Sequence, residues 1–461
     1  MPWIERSRVW CIVCSLVVVF TATGLLAAEP SGWQAGVARI EITPQEPMWM
    51  AGYAARTRPA DGKLTDLYAK ALVLQDAEQR QAVLVTLDVI GTDRSLMQAI
   101  CTRLEDRYGL KRQQIALCAS HTHSGPVLAG NLAPLHYLVV GREDQDLIER
   151  YTAQLQDQVV QVVGMALEQM APVDVSWGNG CATFAVNRRN NRPEGDIEQL
   201  RAEGRLIGPH DHDVPVLAVH DRQGELKSVV FGYACHATVL SDYQWSGDYP
   251  GHAQIEVERD FPGCQAMFWA GCGADQNPLP RRQVELAERY GRQLADGVKT
   301  VLTSEMKPVA PALLAHYREI KLPLAELPTR EQIEADAQSD NRYVAARATM
   351  LIEQLDQSGK LSQTYPYPVQ TWQFGDEIQF AILGGEVVID FALRLKSELR
   401  GPATWVAGFS NDVMAYIASR RVLIEGGYEG ATAMVYYGLP TSWALESEDL
   451  IVQEVHRQLG R

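Results

Sequence analysis

Seven short apolar runs, each closed by a turn and set among stretches of helical periodicity, confine this chain to a layered α/β architecture. The runs are 82–88, 114–119, 214–220, 228–235, 265–270, 378–383 and 403–408. Several are apolar throughout and not alternating, so both faces of such strands must be covered. Helical periodicity marks 93–109, 144–170, 282–303, 328–356 and 444–459. In the second of these, Leu147, Ile148, Tyr151, Leu155, Val159, Val163 and Leu167 fall on one face. Runs 214–220 and 228–235 are joined by Asp221-Arg222-Gln223-Gly224, a hairpin signal. A hairpin among strand–helix alternations predicts mixed β-sheets flanked by helices, not a purely parallel sheet. With 461 residues, 46% of them hydrophobic, and no repeat, low-complexity tract or long linker, the expectation is one large domain over 29–461.

Residues 1–28 read differently. Arg6 and Arg8 precede an uncharged stretch from Val9 to Ala28 that ends on Ala27-Ala28 before Glu29. A basic start, an apolar middle and a small-residue exit predict a cleaved export signal; membrane anchoring by 9–28 is the alternative. The net charge of −15 excludes nucleic acid as a partner, because there is no excess of Lys and Arg to neutralise phosphates. An exported chain is permitted disulfides, but a core of this size does not need them. Cys118 and Cys235, inside apolar runs, read as small buried hydrophobes.

The polar residues cluster where the apolar runs stop. Ser120-His121-Thr122-His123 follows 114–119, and His236 follows 228–235. Gly273-Ala274-Asp275-Gln276-Asn277 follows 265–270, Glu386 follows 378–383, and Ser410-Asn411 follows 403–408. Open α/β sheets bind ligands outside the carboxyl ends of their strands, so these turns can converge on one site. Neutral imidazole is the commonest zinc ligand, and His121 and His123 can both face one cleft. An isolated pair of this kind is equally well one core and one surface histidine. His236 is satisfied either by a backbone carbonyl or by a metal. Glu386, after two glycines, either caps the helix beginning near Val387 or binds metal. The string His210-Asp211-His212-Asp213, after Gly208-Pro209, is better read as a solvated turn than as a second metal site.

Residues from about 35 to 445 resemble the catalytic domain of the neutral ceramidases, zinc-dependent amidases that split ceramide into sphingosine and fatty acid. The resemblance runs through Gly36-Val37-Ala38-Arg39-Ile40-Glu41-Ile42-Thr43-Pro44, Met50-Ala51-Gly52-Tyr53-Ala54 and Thr122-His123-Ser124-Gly125-Pro126. It continues in order through Asn187-Arg188, Ser246-Gly247-Asp248 with Gly251, Gly384-Gly385-Glu386, and Tyr416 with Tyr428-Glu429-Gly430-Ala431-Thr432. It implies zinc ligands at His121, His236, Glu386 and Tyr416. It also implies catalytic roles for His123, Arg188 and Tyr428. Three of the four ligands are strand-end residues already isolated by pattern.

One departure bears on chemistry. The family's serine falls on Gln276, in Gly273-Ala274-Asp275-Gln276-Asn277-Pro278, and glutamine cannot act as a nucleophile. Cys272 is nearby, but no paired base is evident around it. The expectation is therefore hydrolysis of an amide, less readily an ester, by metal-activated water. His123 would shuttle the proton, Arg188 and Tyr428 would stabilise the oxyanion, and Asp275 and Gln276 would contact the substrate. The expected partner is a small-molecule or lipid-like amide, with membrane contact allowed but not required. A non-lipid amide, ester or sugar-derived substrate is one alternative. A catalytically silent binding protein is another, opposed by retention of all four ligand positions. The resemblance ends before the family's C-terminal immunoglobulin-like domain, and only a short helix is expected there.

Overall fold

The computed structural model describes residues 2–3, 32–191 and 196–460. The expected export signal therefore lies almost wholly outside the described residues. Strand β1 (Trp33–Glu41) is followed by the hairpin β2 (Tyr68–Gln75) and β3 (Gln81–Leu87), helix α1 (Arg94–Tyr108), β4 (Ile115–Ala119) and helix α2 (Arg142–Leu167). The same order then recurs: β5 (Ala171–Cys181), hairpin β6 (Asp213–Asp221) and β7 (Leu226–Tyr233), α3 (Asp248–Asp260), β8 (Gln265–Ala270) and α4 (Val284–Leu302). Both halves pair their strands alike, antiparallel through the hairpin and parallel at the last strand. They join through the antiparallel pair β1–β5, giving the order β8-β7-β6-β5-β1-β2-β3-β4, and Lys307–Pro308 adds a short ninth strand on β5. No sequence periodicity announces this repetition; it is topological.

A second sheet follows, β9 (Leu313–Pro323), β10 (Thr364–Phe374), β11 (Ile378–Leu383) and β12 (Ala403–Ala407), with β12 parallel to β11. Alternate residues of both sheets meet in one apolar layer that includes Trp33, Leu84, Met267 and Trp269 from the first and Trp372, Phe380, Ile382 and Trp405 from the second. Each such buried side chain contributes roughly 1.5–3 kcal/mol relative to exposure. The outer face of the large sheet carries α1 to α4, and that of the small sheet carries Ile389–Glu398 and Ser447–Gln458. The layered mixed-sheet architecture expected from the sequence is the one observed.

Each half lets a helix approach its first strand through a glycine. A Cβ on Gly36 would stand 1.9 Å from the Ala166 carbonyl of α2, and one on Gly180 would stand 2.5 Å from the Gly297 carbonyl of α4. The edges of the large sheet meet at one end, stitched by the segment after β12. There the Ala119 amide donates to Phe409 O and the Gly408 amide to Ala270 O. That seam brings the strand-end turns together.

The helix expected over 328–356 is two helices, Arg330–Asp336 and Arg342–Ser358. Asn341 breaks the run by accepting the Tyr343 and Val344 amides as an N-cap.

Candidate metal centre

The turn after β4 gives His121 a left-handed backbone, φ 58°, which is costly for a residue with a Cβ and is held by its surroundings. The His121 ring lies 4.3 Å from that of Phe409. Its Nδ1 stands 2.6 Å from Ile90 O, in the turn after β3. A carbonyl only accepts, so Nδ1 carries the proton and Nε2 keeps its lone pair. The second half repeats the device with the strands exchanged. His236, after β7, donates Nδ1–H to Gly273 O, after β8, at 2.8 Å. Both Nε2 atoms face each other across the seam.

The small sheet supplies oxygens. Gly385, φ 75°, turns the chain after β11 so that Glu386 pairs with Tyr416 in a two-stranded parallel ribbon. Glu386 Oε2 lies 3.1 Å from His236 Nε2 and 3.4 Å from His121 Nε2, and the Tyr416 hydroxyl lies 3.5 Å from His236 Nε2. Zinc bonded tetrahedrally at ~2.0–2.1 Å sets neighbouring ligand atoms about 3.3 Å apart. These three separations match that spacing, and the two nitrogens and two oxygens are all in buried positions. Burial alone would raise the Glu386 carboxyl, but His121 and His236 outweigh it and hold it well below the usual range. Burial, with the Arg188 charge, lowers His236 to about 4, so its imidazole is neutral. A neutral His236 beside an ionised Glu386 is a protonation state that suits a divalent cation.

His123 Nε2 lies 3.2 Å from His121 Nε2, and the nitrogens of His121, His123 and His236 all lie within 4.8 Å of one another, so the three histidines also form a group able to hold a metal ion. Burial and the neighbouring histidines push His123 well below its ordinary value. Tyr53 packs on its ring at 4.8 Å, and Gly52 must be glycine, since a Cβ would meet His123 Nδ1 at 2.3 Å. Arg188 reaches in from the turn after Ala185–Asn187, giving Nη2–H to the Tyr416 hydroxyl at 3.1 Å and Nε–H to Glu429 at 2.8 Å. Tyr428 is 41% exposed at the mouth, its ring 5.3 Å from that of Tyr416.

Asp275 is bonded within the protein. Its carboxylate accepts the Ile389 amide at 3.0 Å, the Asn187 side chain at 3.1 Å and the Gln276 amide at 3.1 Å, and it is fully buried. It therefore ties three segments of the chain together. Gln276 is also buried; its amide donates to Pro209 O at 3.1 Å, while its Oε1 has no partner. Burial drives the Cys272 thiol far above its ordinary value, which leaves it inert. Cys118 and Cys235 are buried as expected, and the six described cysteines are all unpaired. In the string from His210 to Asp213, Lys396 bonds both carboxylates at 2.6 and 2.7 Å and His212 bonds Ala185 O, a structural turn.

Four residues escaped sequence reasoning. Tyr437 donates to Glu386 Oε1 through a short hydrogen bond. Glu429 pairs with Arg188 and, at 2.6 Å, with Arg189. Asp248, at φ 54°, accepts the Val239, Leu240 and Tyr249 amides and so fixes the turn that follows His236. Arg56, lowered to about 10 by burial, gives hydrogen bonds to the carbonyls of Ala51 and His123. Asp248 and Glu429 lie in segments that carry the resemblance, which was the available signal. Tyr437 and Arg56 had none.

The chain has relatives of known family. The family model for neutral/alkaline non-lysosomal ceramidases, N-terminal, matches residues 33–274. The chain is 24% identical over 242 residues to the neutral ceramidase of Pseudomonas aeruginosa, covering 50% of this chain and 34% of that protein. It is 26% identical over 280 residues to neutral ceramidase 1 of Arabidopsis thaliana, covering 59% and 35%. The chain thus spans about a third of the length of these curated relatives. The crystal structure of the Pseudomonas aeruginosa neutral ceramidase superposes with a TM-score of 0.70 at 17% identity, covering 93% of this chain and 75% of that one. Through the matched sequence, with the shared fold behind it, the chain belongs to the neutral/alkaline non-lysosomal ceramidase family.

Proposed function

We propose that the protein is a zinc-dependent hydrolase that cleaves an N-acyl amide. The observation carrying this reading is the cluster of His121, His236, Glu386 and Tyr416, in which Glu386 Oε2 lies 3.1 and 3.4 Å from the two histidine Nε2 atoms and the Tyr416 hydroxyl 3.5 Å from that of His236, with both Nδ1 atoms against carbonyls. Bound there, zinc supplies Lewis acidity, lowering the pKa of an attacking water towards ~7 and polarising the scissile carbonyl. The protein's part is to place and move protons. His123, kept neutral by burial, accepts the water's proton at Nε2 and delivers it to the departing nitrogen. Arg188, held by Glu429, and Tyr428 at the mouth donate to the oxygen on which charge develops. Gln276 offers no nucleophile, so the route has no acyl-enzyme. Ceramide belongs to this substrate class, and the buried Gln276 favours other N-acyl amides beside it.

Metal analysis of purified protein should find about one zinc per chain, and His121→Ala should lose it. His123→Ala should keep the zinc and lose ~10²–10⁴-fold in rate. Protein that remains zinc-free after zinc-replete refolding sinks the proposal. A panel of N-acyl amides and esters, assayed with and without chelator, identifies the substrate. No helix among the described residues is long and apolar enough to cross a membrane. The basic start and apolar 9–28 support export, so mature protein recovered outside the cytoplasm should begin at Glu29.

A further inference from the structure

Among the non-glycine residues with a left-handed backbone, His121 offers a ligand nitrogen and Asp248 fixes the turn after His236; another, Arg282, stands at φ 86°. That conformation is costly for a residue with a Cβ, and strain of this kind collects where function needs a side chain aimed. The Arg282 amide is anchored on Val239 O at 2.7 Å. Its exposed side chain lies over the ring of Tyr53, with the guanidinium carbon 4.7 Å from the centroid. Tyr53 is itself fixed, its hydroxyl donating to Leu240 O at 2.9 Å and its ring 4.8 Å from that of His123. Arg56 stands 4.9 Å from the same centroid. Two guanidinium groups thus share one tyrosine beside the metal centre. Arg56 is 4% exposed, gives its hydrogen bonds to the carbonyls of Ala51, His123 and Asp242, and has a buried Nε with no partner. Arg282 has no salt bridge among the described residues. The Asp248 carboxylate is spent on the amides of Val239, Leu240 and Tyr249, and that of Asp242 accepts the Gln244 amide. Buried charge is ordinarily paired, and guanidinium groups pair best with carboxylates and other oxyanions. The site has two flanks. Arg188 and Tyr428 gather at Tyr416, which adjoins His236, whereas Tyr53 backs His123, which adjoins His121. Where His123 passes a proton to the departing nitrogen, the cationic pair stands on the side of the leaving amine.

We propose that Arg282 and Arg56, across Tyr53, bind an anionic group on the amine half of the substrate, so that the enzyme acts on N-acyl amino acids. Water then cleaves the amide and releases a carboxylic acid and a free amino acid. The proposal rests on the amidase reading above and is separable from it by experiment. Full-length protein supplied with zinc is assayed for octanoate release from N-octanoylglycine and N-octanoyl-β-alanine, each against its own carboxamide. The wild type should favour a carboxylate over its carboxamide by roughly 10–100-fold in kcat/KM. Arg282→Gly removes the side chain and suits a backbone at φ 86°, so the fold is kept. It should lower that ratio roughly tenfold or more, with the zinc content of wild type. Arg282→Lys, which keeps the charge and loses the planar fork, should retain part of the preference. Equal rates for carboxylate and carboxamide in the wild type, or a ratio unchanged by Arg282→Gly, overturns the proposal. Should the wild type cleave none of the four, the amidase reading fails, and calorimetric binding of the two carboxylates decides the anion site alone. In that assay Arg282→Gly should weaken binding roughly tenfold or more. An unchanged Kd, or no binding by the wild type, overturns the anion site.

Discussion

The two oxygens of Glu386 have different partners: Oε2 faces the histidine nitrogens, while Oε1 accepts the Tyr437 hydroxyl. Partners of this outer kind orient a ligand, and losing one commonly weakens metal binding by ~10–100-fold. Tyr437→Phe should do so here, as a competitive chelator titration will read. Asp412 makes a separate point about buried charge. Burial raises its carboxyl to about 7, above the 3.8 of an exposed aspartate, although the Tyr365 hydroxyl donates to it at 2.7 Å. Between those values the native state holds a proton that the unfolded chain releases, so rising pH costs the native state stability across that window. Asp412→Asn keeps an acceptor for Tyr365 and removes the charge. Its thermal midpoint should exceed that of wild type at pH 8, and the gap should shrink at pH 5. A gap independent of pH would show that Asp412 does not titrate there. At this scale the sequence was partly legible: His121, His236 and Glu386 sit where apolar strands end, a pattern visible in one dimension. Tyr416 needed the family resemblance, because its register against Glu386 is set by a ribbon of two residues per strand that no periodicity marks.

Among the elements, apolar runs translated well into strands because burial on both faces leaves a continuous signal. The run 114–119 became Ile115–Ala119, and 265–270 became Gln265–Ala270. Strands with one exposed face were missed. The pattern of β9 alternates buried or half-buried with exposed residues, and β5 similarly mixes the two, so neither forms an apolar block. The single helix expected over 328–356 failed because its periodicity continues across Ser339-Asp340-Asn341, while the Asn341 side chain prefers capping to helix. The glycine crossings give this scale its own test. Gly180→Ala would drive a methyl into the Gly297 carbonyl and force α4 off its strand, at a cost of about 1–3 kcal/mol. Gly36→Ala should cost at least as much, because its contact is closer, 1.9 Å to Ala166 O. Denaturant unfolding of both variants measures it; a loss in one half alone would break the equivalence of the two crossings.

For the molecule as a whole, the proposed ligands come from three separate parts of the fold: the first half, the second half and the segments that follow strands of the small sheet. An ion bound to all three binds the native state and not the unfolded chain. Free zinc at a hundredfold over its Kd would therefore add about 2.7 kcal/mol to stability, and the thermal midpoint should climb with zinc concentration until chelator reverses it. His121→Ala should flatten that dependence. The seam has a consequence for what half of the chain could do alone. Each half, taken alone, offers one inward imidazole braced by its own carbonyl, His121 on Ile90 or His236 on Gly273. A chain of half this length would hold only a fragment of a shell, and two copies would have to pair to bring both nitrogens into one place. Joining the halves in a single polypeptide makes that encounter permanent. It also leaves the two halves free to differ, and only the first carries a second histidine, His123, beside the one facing the seam.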